Sequence, residues 1–223
     1  PREHEEWLAK IAAWKAKHPL VYTPDGLKPQ YVIEQICEIS QGKAVICTEV
    51  GQNQMWSAQW YTHRYPRHFI SSGGLGTMGY GFPAAIGAQV GRPEALVVDI
   101  AGDGSIQMNI QELATAVYNK LPVKICILNN GHLGMVRQWQ ELFYKRRYSG
   151  STLNGNPDFV RLAEAYGARG ARITKAEDVR PVLAKAFADP SVWVLDFVVE
   201  PEENVFPMVP AGEAIDRMIG GMA

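Results

Sequence analysis

The sequence predicts an α/β fold of the doubly wound kind, a parallel sheet with helices on both faces. Three observations lead there. From residue 28 onward, short apolar runs alternate with helical patterns. The runs are apolar nearly throughout rather than at every second position, which is the mark of strands buried on both faces of a parallel sheet. Four of them end in Gly and short polar residues, at the carboxyl ends where such sheets carry their sites.

The elements follow in order. In residues 1–18, Trp7, Leu8, Ile11 and Trp14 share one helical face, so this stretch reads as a lead-in helix that packs on something; Pro19 and Pro24-Asp25-Gly26 stop it. Val32, Ile33, Ile36, Cys37 and Ile39 give an apolar helix face over Tyr31 to Ile39, closed by Gly42. Ala44 to Cys47 is the first strand candidate and His68 to Ser71 the second. Gly79 to Gly91, rich in Gly and Ala, reads as a tightly packed helix, and Ala95 to Ile100 as the third strand. Gln111 to Lys120 is helical, with Leu113, Ala116 and Val117 inward, and Val123 to Leu128 is the fourth strand. Asn156-Pro157 is expected to open the next helix as cap and first residue, and Gly167 to end it. Thr174 and Glu177 suggest a capping box before a helix whose register Pro181 obscures. Val192 to Val199 is the last strand. The pattern divides the chain into a lead-in helix and linker (1–27), an α/β domain (28–200) and a tail (201–223).

Composition excludes whole classes. With 22 Lys+Arg against 23 Asp+Glu in 223 residues, there is no basic surplus of the kind nucleic-acid binding needs. No apolar stretch reaches the roughly 18–20 residues of a membrane span. Pro1-Arg2-Glu3-His4-Glu5-Glu6 offers no apolar signal core, so the expectation is a soluble, intracellular chain. Three unpaired cysteines, Cys37, Cys47 and Cys126, suit reduced core thiols.

The strand ends carry the chemistry. They read Thr48 to Trp56, Ser71 to Gly79, Gly102-Asp103-Gly104-Ser105 and Asn129-Asn130-Gly131-His132. Any one such turn needs Gly or Asn for its own geometry; four together point to a polyanionic ligand approached closely by backbone N–H groups. Gly74-Leu75-Gly76-Thr77-Met78-Gly79 is a literal G-x-G-x-x-G after a strand, with Asp99 twenty residues beyond, and competes as a dinucleotide fingerprint. It sits on the second strand rather than the first, and leaves the next two strand ends unexplained. Between Gly104 and Asn129 lie 24 residues, room for one helix and one strand, which returns the chain to the same edge one strand over. Asp103 and Asn130 then converge as hard oxygen ligands suited to Mg²⁺, with glycines admitting a diphosphate and a helix opening near Asn109 offering its positive end. The plainer alternative is an Asp cap and a buried Asn pair in a turn.

Gly102-Asp103-Gly104 with Asn129-Asn130 resembles the thiamine diphosphate motif, and nearly the whole chain is similar to the C-terminal, diphosphate-binding domain of the acetohydroxyacid (acetolactate) synthase catalytic subunit. The residues that carry the resemblance are Glu49 to Trp56, Ser71 to Gly79, Gly134-Met135-Val136-Arg137-Gln138-Trp139-Gln140 and Asn204 to Pro210. It implies the thiamine diphosphate-binding fold and an enzyme that decarboxylates pyruvate and joins the hydroxyethyl unit to a second 2-oxo acid, in branched-chain amino acid biosynthesis. By the same resemblance Asp103 and Asn130 ligate Mg²⁺, with His132 through its carbonyl. Val50, Gly51, Gln52, Asn53, Gly76, Gly102, Gly104, Ser105, Leu133 and Gly134 would line the cofactor, and Met78 would wedge beneath it, although a Met at a helix start also serves plain packing. Met135, Val136 and Trp139 would wall the substrate entrance, Trp139 setting the preference among 2-oxo acids; a core or interface aromatic is the alternative for Trp139.

The family's activating glutamate lies in an N-terminal domain and its FAD in a middle domain, and neither stretch is among these residues. Glu49 and Glu112 are the acids nearest the motifs and match neither. The resemblance therefore implies a chain inactive alone, completed by those domains as a homodimer or homotetramer, with a possible regulatory small subunit. The compartment would be the bacterial cytoplasm, or a plastid or mitochondrion in a eukaryote. Three other readings remain: the β chain of another split thiamine diphosphate-dependent decarboxylase, a nucleotide-binding module using Gly74–Gly79, and a non-catalytic binding or interaction domain.

Overall fold

The computed structural model describes residues 4–220. Residues 1–3 of the lead-in segment and 221–223 of the tail, and the expectations placed on them, lie outside the described residues. Six strands form one parallel sheet: β1 (Val45–Thr48), β2 (Phe69–Ser71), β3 (Val97–Gly102), β4 (Lys124–Asn129), β5 (Arg169–Ile173) and β6 (Trp193–Val198), in spatial order β2-β1-β3-β4-β6-β5. Register is set by pairs such as Cys47 with Asp99 and Ile125 with Val194. Alternate strand residues face opposite ways, so the sheet feeds two cores. Ile46, Val98, Ile100, Cys126, Leu128, Leu195 and Phe197 pack against α2 (Pro29–Ile39), α3 (Gln52–Trp60) and α8 (Ala176–Ala188). Val45, Cys47, Val97, Ala101, Ile125, Ile127 and Val194 pack against α4 (Gly81–Gly91), α5 (Leu113–Tyr118) and α7 (Phe159–Ala165). The fold is the doubly wound α/β sheet that the apolar runs predicted, each of the five expected strands within two residues of its expected bounds. The reversal of strand order between β1 and β3 makes the switch point.

Several local expectations are corrected. The lead-in helix α1 (Glu5–Lys17) forms but buries no residue; Trp7 and Trp14 stack edge to face at 5.5 Å and are each 54% exposed. The segment expected from Gln111 starts as two 3-10 turns, Ile106–Met108 and Ile110–Glu112, and becomes α-helical only at Leu113. Asn109 therefore sits between two short turns, with no helix dipole behind it, and its side chain donates to the Gly79 carbonyl at 2.7 Å. The cap of α7 is Asp158, whose carboxylate accepts from Val160 and Arg161 N–H, not Asn156; Asn156 has another partner, described below. Lys175 stands at the start of α8 without a side-chain cap, so the capping box does not form, and the helix runs through Pro181.

Three elements escaped the sequence reading. Edge strand β5 (RGARI) carries two arginines and a glycine and buries only Ile173 fully. Helix α3 and helix α6 (Gly134–Phe143) bury polar side chains, Gln52 and Asn53 in one, Arg137 and Gln138 in the other, so neither shows a clean apolar stripe. Those side chains satisfy one another: Gln52 Nε2 donates to Gln138 Oε1 at 2.9 Å, and Gln138 binds both the N–H and the carbonyl of Val205 at 2.8 Å. Val205 and Met208 of the tail are thereby drawn into the core. Among the described residues, no helix is long and apolar enough to cross a membrane.

Candidate cofactor and metal site

The carboxyl ends of β1, β3 and β4 open on one cavity of about 210 Å³. Val50, Gly51, Gln52 and Asn53 reach it from the end of β1, where Gly51 (φ +140°) turns the chain into α3. Gly76 and Met78 arrive from the loop after β2, and Gly102, Asp103, Gly104 and Ser105 from β3. Asn130, His132, Leu133, Gly134, Met135 and Val136 close it from β4 and the first turn of α6. The residues expected around a cofactor are thus brought together. Trp56 and Leu128 also line the cavity and were not singled out; Trp56, one turn beyond Gln52, was the legible one. Glycine keeps two walls uncrowded. A side chain at Gly104 would stand 2.8 Å from Leu133 and 3.1 Å from Leu153, and one at Gly134 would run into the Gln52 amide.

The polar groups are oriented by neighbours. Asp103 is buried, and Asn156 Nδ2 donates to its Oδ2 at 2.6 Å. Burial pushes the Asp103 carboxyl up, to about 6, against the pull of Asn156, nearby backbone N–H groups and His132. Asn130 donates its Nδ2 to Gln52 Oε1 at 3.1 Å and accepts the His132 N–H on Oδ1 at 3.0 Å. That leaves Oδ1, with its second lone pair, as the atom available to a cation. His132 Nδ1 lies 2.8 Å from the Asn130 carbonyl, which can only accept, so Nδ1 carries the proton there. Gln52 and Asn53 line the cavity but commit their amide N–H groups to the protein, Gln52 to Gln138 and the Glu203 carbonyl, Asn53 to the Ile100 carbonyl. Among the described residues, no three His, Cys, Asp or Glu side chains gather as a metal site. A cation here would meet one carboxylate, one amide oxygen and backbone oxygens, the hard donor set that suits Mg²⁺ rather than zinc.

The G-x-G-x-x-G segment is already occupied by an anion, and it belongs to the protein. Glu49 is fully buried, and its carboxylate accepts the Gly79 N–H at 2.6 Å and the Phe82 N–H at 3.0 Å at the start of α4. Burial pushes the Glu49 carboxyl up, while these N–H groups and that of Gly81 hold it down. A dinucleotide pyrophosphate would need those same donors. Glu49 instead clamps the loop that bears Met78. Beside it Asp99 is fully buried, with no hydrogen-bond partner for either carboxylate oxygen among the described residues and its carboxyl held well above the ordinary range by burial and by Glu49. Glu112, the other nearby acid, stays at the surface and accepts from the Thr115 hydroxyl. Burial pushes the thiols of Cys47 and Cys126 up as well, which keeps them inert.

Trp139 stands outside the first cavity. It lines an adjoining open groove of about 640 Å³ with Met135, Val136, Gln140, Tyr144 and Arg147, and packs edge to face on Phe143 at 5.6 Å. Met135 and Val136 border both spaces, so they form the partition between them.

Residues 49–197 match the thiamine pyrophosphate enzyme C-terminal TPP binding domain. Acetolactate synthase 1, chloroplastic, of Nicotiana tabacum is 47% identical over 222 residues, covering 96% of this chain and 33% of that protein. The mitochondrial acetolactate synthase catalytic subunit of Saccharomyces cerevisiae is 48% identical over 225 residues, covering 98% and 33%. The acetolactate synthase large subunit of Haemophilus influenzae is 46% identical over 218 residues, covering 96% and 38%. The chain thus spans about a third of the length of the curated relatives it matches. Among solved structures, the thiamine diphosphate-dependent 4-hydroxybenzoylformate decarboxylase of Rhodococcus jostii RHA1 superposes with a TM-score of 0.74 at 28% identity, over 83% of this chain and 35% of that one.

Proposed function

The chain belongs to the thiamine pyrophosphate enzymes through their C-terminal TPP-binding domain, and from that premise we propose that it forms the cofactor-and-metal half of an acetolactate synthase. The observation that carries the proposal is the single cavity at the switch point, built by three strand ends around Asp103 and Asn130. Asp103, Asn130 and the carbonyl of His132 would hold Mg²⁺. The backbone of Val50–Asn53 and Gly102–Ser105 would take the diphosphate, where glycine lets it approach closely. Met78, fixed by the Glu49 clamp, would support the cofactor from below. Bound there, thiamine diphosphate supplies the electron sink that lets a 2-oxo acid lose carbon dioxide. The chain's own residues bind and orient it and exclude water. Met135 and Val136 would gate the passage to the outer groove, and Trp139 would meet the side chain of the incoming 2-oxo acid.

The wider reading follows the relatives' greater length. The domain unit of residues 28–200 would work with an activating glutamate and an FAD site carried by the parts of the relatives that this chain does not span, in a symmetric oligomer, with or without a regulatory subunit. The compartment would be the cytoplasm, a plastid or a mitochondrion according to source. Calorimetric titration of thiamine diphosphate with Mg²⁺ tests the site. Asp103→Ala is expected to abolish Mg²⁺-dependent binding, and unchanged affinity would remove the metal assignment.

A further inference from the structure

Asn156 lies 53 residues beyond Asp103 in sequence, outside both halves of the Asp103 and Asn130 motif, yet it makes a 2.6 Å hydrogen bond to the Asp103 carboxylate. Its amide can face only one way. The Asp103 carbonyl only accepts, so Gln107 must present Nε2 to it, at 2.8 Å. The same Nε2 reaches Asn156 at 3.0 Å, which must therefore be Oδ1, turning Nδ2 toward Asp103 Oδ2. The loop is placed by backbone as well. Leu133 N–H donates to the Ser151 carbonyl and Leu153 N–H to the Gly131 carbonyl, each at 2.8 Å, tying the segment before Asn156 to the β4 end that bears Asn130.

We infer that Asn156 is a positioning residue for the metal: its hydrogen bond to Asp103 Oδ2 fixes the rotation of the carboxylate and takes one of that oxygen's lone pairs, which disfavours binding through both oxygens and so favours a small octahedral cation such as Mg²⁺ over a larger one such as Ca²⁺. A carboxylate free to turn can bind both oxygens to Ca²⁺, whereas Mg²⁺ takes one oxygen at short range in near-ideal octahedral geometry. Partners of this kind around a metal ligand typically carry roughly 10–100-fold of its affinity. The inference rests on Asp103 being a metal ligand, as proposed above.

The experiment titrates Mg²⁺ and, separately, Ca²⁺ into the purified protein at saturating thiamine diphosphate, by calorimetry, beside melting curves without metal. Asn156→Ala is expected to lower Mg²⁺ affinity roughly 10-fold or more and Ca²⁺ affinity less, so that the Ca²⁺-to-Mg²⁺ affinity ratio rises. Unchanged affinities, or an equal loss of both at an unchanged ratio, would overturn the inference while leaving the site reading in place. Mg²⁺ affinity that survives Asp103→Ala, or its absence from the unsubstituted protein, would overturn the site reading and the inference with it. Should Asn156→Ala melt early, Gln107→Leu, which keeps the Asn156 side chain but removes the group that orients its amide along with the bond to the Asp103 carbonyl, decides by the same ratio.

Discussion

The two halves of the sheet treat buried charge in opposite ways. In the β6-β5 half, each buried charge meets strong partners within the chain. Asp196, fully buried on β6, accepts from Asn129 Nδ2 at 2.9 Å and from Arg172 Nε at 2.8 Å. Lys124, at the boundary strand β4, gives its ammonium to the carbonyls of Asp189 and Ser191 at 2.6 Å each, although burial still brings its pKa down to about 8. In the β1-β3 half, Glu49 and Asp103 meet only neutral donors, and Asp99 meets none. Among the described residues, none of these three carboxyls has an ion-pair partner. The first arrangement is a means of holding the fold; the second buries carboxyls without a countercharge, which costs stability, pushes their titration up and, at Asp103 beside the cavity, suits a cation-binding site.

The comparison breaks or sharpens under three substitutions. Asp196→Ala would strand the Asn129 amide and leave Arg172 only its 3.3 Å pair with Asp158. Losing one partner of a buried pair costs about 3–5 kcal/mol, and since the Arg172 side chain is 43% exposed, solvent screening brings the expected loss to about 2–3 kcal/mol. That is a drop in Tm of roughly 5–10 °C, read by calorimetry; a change under one degree would mean that this half is not held by its pairs. Asp99→Asn should act in the opposite sense. The folded chain keeps a proton on Asp99 that the unfolded chain releases above about pH 4. The native state thus binds more protons, and stability falls as pH rises from the unfolded pKa through the folded one. The variant removes that slope, so its urea midpoint should exceed the parent's at pH 8 and by less at pH 5; a gap independent of pH would sink the account. The smallest effect belongs to Arg217→Ala, which deletes an exposed 3.5 Å pair with Glu213. It should change stability by no more than about 0.5 kcal/mol, and a larger loss would show that burial is not what separates strong pairs from weak ones.

The same contrast marks what was legible. Helices α2 and α4 and strands β1, β3, β4 and β6 were readable because they bury apolar side chains, and burial of that kind leaves an apolar helix face or an unbroken apolar run in the sequence. Helices α3 and α6 were not, because beside the cavity they bury Gln52, Asn53, Arg137 and Gln138, and partners spread across the chain leave no local period. Asn156 shows the limit best. Its neighbour Pro157 and the helix that follows invited a capping role, a local rule, but the side chain serves a residue 53 positions away.

By itself the sequence determined the alternating parallel sheet, its switch-point edge and the motif residues that meet there, because apolar runs, turn glycines and motif spacing are properties of short segments. Only the tertiary structure decided which groups orient Asp103 and Asn130, that Glu49 fills the helix start a nucleotide would need, and that Trp139 stands in a separate groove. Those outcomes depend on hydrogen bonds and close packing between residues far apart in the chain, and no local pattern encodes such a distance.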